Sequence, residues 1–281
     1  MAVFWWIYIA AGVSMMLNRK MEVRSMIDKN IGGFQFIAGQ WPLDPGKPTV
    51  VFIHGAANSR MFWKAQVGGL SAGANTVAPD LPGHGMSGGE GRDSVAGYAA
   101  AVRDFISAIG ADRPVVCGLS MGGAIALHLL IDLGRECRAG IIINSGARLK
   151  VLPVIFDMIR NDYRAFCGSL AKFAASPETD PKLLADAVAE TEKCDPSVAY
   201  DDFSACNSFD MMNGLDAIAV PVLVIASADD ILSPPKYAQY LKDRIPGSKI
   251  VTVQAAGHMS PVEKPGEIND AILDFLASIP V

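Results

Sequence analysis

The sequence predicts an open, doubly wound α/β fold: a mostly parallel sheet with helices on both faces and a helical insertion over one end. Three observations carry this. Short, continuously apolar, β-branched runs recur along the chain, as in strands buried on both faces. Longer stretches with helical spacing separate them, which is the β-α-β rhythm of a parallel sheet. That rhythm stops between about residues 147 and 216 and then resumes. The composition agrees: 281 residues with 51% hydrophobic and 19% charged side chains supply a large core and exclude disorder as the main state.

Residues 1–20 stand apart as a hydrophobic N-terminal extension. Val3–Leu17 is apolar and uncharged, and Asn18, Arg19 and Lys20 follow it. The run is shorter than the ~20 residues of a comfortable bilayer span. Its charge follows rather than precedes it, the reverse of a secretory signal. Two readings stand side by side. One is an inner-membrane anchor with Arg19 and Lys20 on the cytoplasmic side. The other is translation that begins at Met15, Met16 or Met21. A cleaved signal ending near Gly12 or Ser14 ranks behind both. Membrane contact is expected only through this segment, and the remainder is expected to be soluble and cytoplasmic.

Phe34–Ala38 alternates in polarity and reads as an antiparallel edge strand. Thr49–Ile53, Thr76–Ala78, Pro114–Cys117, Gly140–Ile143, Val222–Ile225 and Ile250–Val253 read as strands. Helical patterns occupy Met61–Leu70, Val95–Ile109, Met121–Leu133, Pro235–Arg244 and Ile268–Ala277. Residues 147–216 carry Phe156, Met158, Tyr163, Phe166, Phe173, Phe203, Met211 and Met212 at helical spacing. Pro153, Pro177, Pro181 and Pro196 cut this stretch into several short helices. It is too long for a loop, so it is read as a helical insertion, with residues 21–146 and 217–281 forming the main domain.

Charge and cysteine usage exclude several function classes. Lys+Arg 24 against Asp+Glu 29 gives −5, without the basic balance of a nucleic-acid binder. The five cysteines are odd in number and none are spaced C-x-x-C, which disfavours a disulfide framework or a zinc site and suits a reducing compartment. Gly88-Gly89-Glu90-Gly91 lacks the preceding strand and the Lys of a phosphate-binding loop. No metal and no cofactor are expected, and oligomeric state is not legible.

The chemistry concentrates in three places at the carboxyl ends of strands. Gly118-Leu-Ser120-Met-Gly122 lies between a buried strand and a helix. A nucleophile there needs a sharp, strained turn, and flanking glycines avoid collisions at it. The helix N-terminus adds N–H donors and a positive dipole end. A serine hydroxyl needs a base, and His258 follows the strand Ile250–Val253 at the same edge. The imidazole in turn needs a carboxylate. Asp229 and Asp230 both follow the strand Val222–Ile225, and either suits. The plain readings are a Gly-Ser turn, a solvated loop histidine and a helix-capping aspartate.

On these residues, together with His54-Gly-Ala-Ala-Asn-Ser59, Trp63, Asp80-Leu-Pro-Gly-His-Gly-Met-Ser87 and Gly257-His258, the chain resembles the α/β-hydrolase superfamily, in its capped serine esterase and haloperoxidase-like branch. The resemblance covers residues 30–278 or so. It implies an α/β-hydrolase core with the insertion as a cap. It also implies a catalytic triad of Ser120, Asp230 and His258, because the acid in such proteins is usually the Asp four residues before the Pro that stands here as Pro234. The oxyanion hole would be the backbone N–H groups of Ala56 and Met121. His54 and His84 fall in loops where the imidazole is usually structural, and His128 is expected to be a packed or satisfied core residue.

The implied activity is hydrolysis of small to medium, mostly apolar carboxylic esters through an acyl-enzyme, with a small-molecule ester as the only expected partner. Ser120 disfavours the dehalogenases and epoxide-opening relatives, which use Asp. Leu119 and Met259 depart from the Asn and aromatic residue usual in carbon–carbon bond hydrolases of ring-cleavage products. That activity, perhydrolysis as in cofactor-free haloperoxidases, and a non-catalytic ligand receptor on the same fold are the competing expectations.

Overall fold

A computed structural model describes residues 26–279 of the chain. The extension at residues 1–20 therefore lies outside the described residues. Eight strands form one sheet: β1 (Ile27–Ile31), β2 (Phe34–Ala38), β3 (Thr49–Ile53), β4 (Asn75–Pro79), β5 (Val115–Leu119), β6 (Ala139–Ile143), β7 (Val222–Ser227) and β8 (Lys249–Val253). Their order is β1-β2-β4-β3-β5-β6-β7-β8. The pairings β1–β2 and β2–β4 are antiparallel and the rest are parallel. The expected antiparallel strand Phe34–Ala38 is present, but the edge is taken by β1. Its sequence Ile-Asp-Lys-Asn-Ile has three exposed polar residues in the middle, so it offers no apolar run to read.

The central strands are buried on both faces, and their pleat sorts side chains into two cores. Val51, Ile53, Val116 and Ile142 face one layer. Val50, Phe52, Val115, Cys117, Ile141 and Ile143 face the other. The first layer is closed by α2 (Val95–Ala108), α3 (Met121–Asp132) and α8 (Pro235–Arg244), the second by α1 (Lys64–Leu70) and α10 (Pro265–Ser278). The helix α3 buries Met121, Ala124, Ile125, Leu127, Leu129 and Leu130. Each large side chain among these contributes about 1.5–3 kcal/mol by leaving water.

Between β6 and β7 the chain forms α4 (Pro153–Asn161), α5 (Tyr163–Phe173), α6 (Pro181–Lys193) and α7 (Pro196–Ser208). The prolines that break the pattern open the helices: Pro153, Pro181 and Pro196 each occupy a first turn, where their missing N–H costs nothing. Asp162, Asp180 and Asp195 cap α5, α6 and α7 by accepting from Ala165, Lys182 and Ser197 N–H, each worth about 1 kcal/mol. These helices share a core of Ile159, Phe166, Cys167, Cys194, Val198 and Ala199. Ala57, from the loop after β3, is buried in that same core. A short helix α9 (Ser260–Glu263) precedes α10.

Candidate active site

The strand β5 hands the chain to α3 through Ser120, whose backbone sits at φ 55°, ψ −118°. For a residue with a side chain this is strained by roughly 1–3 kcal/mol. Its N–H donates to Ile143 O and Ser145 Oγ donates to its carbonyl, which pins the turn. The surroundings leave no alternative to glycine on either side. A Cβ on Gly118 would lie 2.0 Å from Gly122 O, and one on Gly122 would lie 2.1 Å from Ile53 O. The loop after β3 closes from the other side: a Cβ on Gly55 would lie 3.5 Å from Ser120 Cβ. Among the described residues the Ser120 hydroxyl and the N–H groups of Ala56 and Met121 make no hydrogen bond.

His258 follows β8 at the same edge. Its Nδ1–H donates to Asp230 Oδ2 at 2.8 Å. The other oxygen of Asp230 accepts from Leu232 and Ser233 N–H at 2.8 and 2.9 Å. Both partners are buried. Burial opposes ionisation of Asp230, but the facing His258 and the two backbone donors outweigh it and hold the carboxyl below its ordinary range. Asp229 does something else. It is half-buried, and its carboxylate accepts from Ser176 Oγ on the inserted segment at 2.6 Å. The two candidates left open by the strand-end pattern are thus separated by direction.

Three further residues organise the edge and were not singled out from sequence. Asn144 follows β6 at φ 44°, and its Nδ2 lies 3.0–3.1 Å from the carbonyls of Gly257 and His258. Glu263, buried on α9, accepts from Gly257 N–H and also from Ser176 N–H and Thr179 Oγ1 of the insertion. Asp202, buried on α7, accepts from Ala57 N–H at 2.7 Å. A polar residue following a buried strand is a readable signal for Asn144. Asp202 carries none, because Ala57 lies 145 positions away, and the reach of Glu263 to Ser176 and Thr179 spans 87 and 84 positions.

The remaining histidines divide. His54 donates from Nδ1 to Gly55 O and accepts at Nε2 from Leu81 N–H, a structural role as expected. His84 also serves structure, as the partner of Asp202. His128 was expected in the core, yet it is one-quarter exposed and lies 3.2 Å from Asp132, one turn along α3. The apolar run around it masks that its position lies at the margin of the core.

The pattern described as the alpha/beta hydrolase family matches residues 50–271. A putative carbamate hydrolase from Klebsiella pneumoniae is 27% identical over 84% of this chain and 93% of that protein. A pimeloyl-[acyl-carrier protein] methyl ester esterase from Aromatoleum aromaticum is 25% identical over 82% of this chain and 98% of its own. The crystal structure of an enol-lactonase from Burkholderia xenovorans superposes with a TM-score of 0.81 at 21% identity, covering 90% of this chain and all of that one. Through the family match over residues 50–271, the chain belongs to the alpha/beta hydrolase family.

Proposed function

We propose that the protein is a serine hydrolase of carboxylic esters, with Ser120 as nucleophile, His258 as base and Asp230 as the acid that orients it. The observation that carries this is the Asp230–His258 hydrogen bond at 2.8 Å, on the sheet edge where Ser120 stands at φ 55°. With Nδ1–H committed to Asp230, the lone pair of the neutral imidazole is on Nε2, ready to take a proton from Ser120 Oγ. The hydroxyl–imidazole bond tightens when substrate excludes water. The alkoxide attacks the ester carbonyl, and the oxyanion is held by the N–H groups of Ala56 and Met121. The Gly55 approach places the Ala56 loop against Ser120, and Met121 opens α3, whose first N–H groups have no intrahelical acceptor. His258 then protonates the leaving alcohol, and water repeats the sequence on the acyl-enzyme.

The helices α4–α7 act as a cap over this edge, and residues 147–216 are its extent. Their apolar side chains favour small to medium uncharged esters. One relative is named a methyl ester esterase and another a putative carbamate hydrolase, which supports ester hydrolysis over carbon–carbon cleavage. Residues 1–20 supply any membrane contact; among the described residues no helix is long and apolar enough to cross a membrane. The test is turnover of a chain-length series of p-nitrophenyl esters with Ser120→Ala as control. Loss of a triad member removes roughly 10⁴–10⁶ of the rate. A variant keeping more than a tenth of wild-type activity, or labelled as fast as wild type by a fluorophosphonate, refutes the assignment and with it the catalytic reading.

A further inference from the structure

We infer that Asp202, on the inserted helix α7, is a positioning residue for the oxyanion donor on Ala56. It acts by holding the next residue, Ala57, in a left-handed turn. This rests on the ester-hydrolase reading and extends it to a residue far outside the recognisable motifs.

The geometry starts at Ala57, whose φ of 55° is a conformation that residues with a side chain avoid. Something must compensate for it. Its N–H donates to Asp202 Oδ2 at 2.7 Å, and its methyl group is packed among Ile159, Phe166 and Ala199 of the insertion. The N–H of Ala57 and the carbonyl of Ala56 share one peptide plane. Fixing that plane and the φ beyond it sets the turn from which the Ala56 N–H is aimed.

Asp202 is itself held from three sides. Tyr98 Oη donates to its Oδ1 at 2.5 Å. His84 Nε2 lies 2.8 Å from the same Oδ2 that takes Ala57. The other ring nitrogen of His84 faces Pro82 O at 3.1 Å. Both nitrogens of His84 thus face acceptors, so both carry protons and the ring is an imidazolium that balances the carboxylate. Asp202 and His84 are essentially out of solvent. A buried carboxylate with a matched counter-charge and three donors does not wander, and a charge-assisted bond to a backbone N–H is about twice as strong as a neutral one. The other tethers of the same loop, Asn58 to Ala187 O and Ser59 Oγ to Glu190, also come from the insertion. They act beyond Ala57, so they limit the damage of losing Asp202 without replacing it.

The experiment measures kcat and KM for p-nitrophenyl butyrate, and the rate of Ser120 labelling by a fluorophosphonate, in Asp202→Ala, Asp202→Asn and Tyr98→Phe. Removing an oxyanion donor outright costs about 10²–10³ in kcat, so misaiming one is expected to cost about 10–100-fold. Asp202→Ala should show that loss with KM within about threefold of wild type, and labelling should slow by a similar factor. Asp202→Asn should recover to within about fivefold. Its amide oxygen can stay on Ala57 N–H while its NH2 donates to Tyr98 Oη. Tyr98→Phe removes only the Oδ1 contact, so it should lower Tm with kcat within about twofold. A purely structural role predicts instead that kcat falls in step with Tm across all three.

The inference is overturned if Asp202→Ala keeps kcat within threefold of wild type. It is equally overturned if Asp202→Asn is as impaired as Asp202→Ala, or if Tyr98→Phe loses kcat in proportion to Tm. Should Asp202→Ala not fold, hydrogen exchange on the wild type decides. The Ala57 amide is expected to be protected, and free exchange of that amide in the folded protein sinks the idea. Ser120-dependent turnover that ignores Asp202 refutes this inference alone. Absence of any Ser120-dependent turnover removes the ester reading and this inference with it.

Discussion

Replacing Asp230 by Asn changes one atom, and the hydrogen bonds around that atom set the cost. Oδ1 accepts two backbone N–H groups, from Leu232 and Ser233, while Oδ2 accepts one proton from His258. The Asn side chain has one oxygen and one NH2 to distribute. Keeping its oxygen on the two backbone donors turns the NH2 toward His258 Nδ1, which must then present a lone pair. The proton moves to Nε2 and the base loses its acceptor. The opposite orientation restores the useful tautomer but points an NH2 at two N–H groups, that of Ser233 buried and that of Leu232 partly buried. Leaving the buried one unsatisfied costs about 1–3 kcal/mol, and the partly buried one less. At 1.4 kcal/mol per tenfold, the buried group alone disfavours the productive form by a factor of about 5 to 150. Losing the carboxylate opposite a developing imidazolium adds to this, so kcat for an ester substrate is expected to fall by about 10²–10⁴. Asp229→Asn, at a half-buried residue whose oxygen can still accept from Ser176, should stay within about threefold. The assay is kcat for p-nitrophenyl butyrate in both variants, with thermal unfolding to verify the fold. Equal, mild losses in the two refute the reasoning and put the acid elsewhere.

The same geometry carries other expectations. Gly122→Ala drives a methyl group to 2.1 Å from Ile53 O, a backbone atom of the central sheet. It should destabilise by about 3 kcal/mol or more, and urea unfolding that registers under 1 kcal/mol contradicts the packing described. Burial opposes the charge on His84, but Asp202 outweighs it and raises its folded-state pKa well above the ordinary value. Its contribution to stability is therefore full below about pH 6.5 and is lost as pH rises through the folded value. Wild-type Tm should fall on the alkaline side, and His84→Gln should flatten that slope; an unchanged slope places the titration on another group. Deleting residues 1–20 should leave ester turnover unchanged and abolish any membrane association in a flotation assay. Insoluble or inactive truncated protein means the segment belongs to the folded domain.

What could be read from the sequence was local chemistry tied to backbone geometry. Gly118 and Gly122 announce the sharp turn at Ser120 because both lie within two residues of it, although the atom that Gly122 must clear, Ile53 O, belongs to another strand. The strands β3, β5, β6 and β7 are legible because burial on both faces leaves no polar positions to blur them. β1 fails the same test, since its middle is exposed at the sheet edge. Which of Asp229 and Asp230 faces His258 was ambiguous by pattern, because adjacent residues at a strand end point in different directions and only tertiary contacts say which way. The supports of the site were invisible for a different reason. Asp202 and Asn144 do their work on residues more than 80 positions away in sequence, as Glu263 does on Ser176 and Thr179, and no spacing rule reaches that far.

The burial of Ala57 inside the core of the inserted helices has a consequence for recombination among relatives. The insertion looks like an exchangeable cassette, since it enters after β6 and leaves before β7. Yet one residue of its core is donated by the loop after β3, and its Ser176 and Asp202 reach loops on opposite flanks of the sheet edge. A chimera that imports another relative's helices without matching partners for Ala57, His84 and Glu263 would strand a buried imidazolium, a buried carboxylate and a strained alanine together. Cassette exchange in this chain therefore means moving both halves of each contact, and single crossovers at the obvious boundaries should give insoluble protein far more often than altered selectivity.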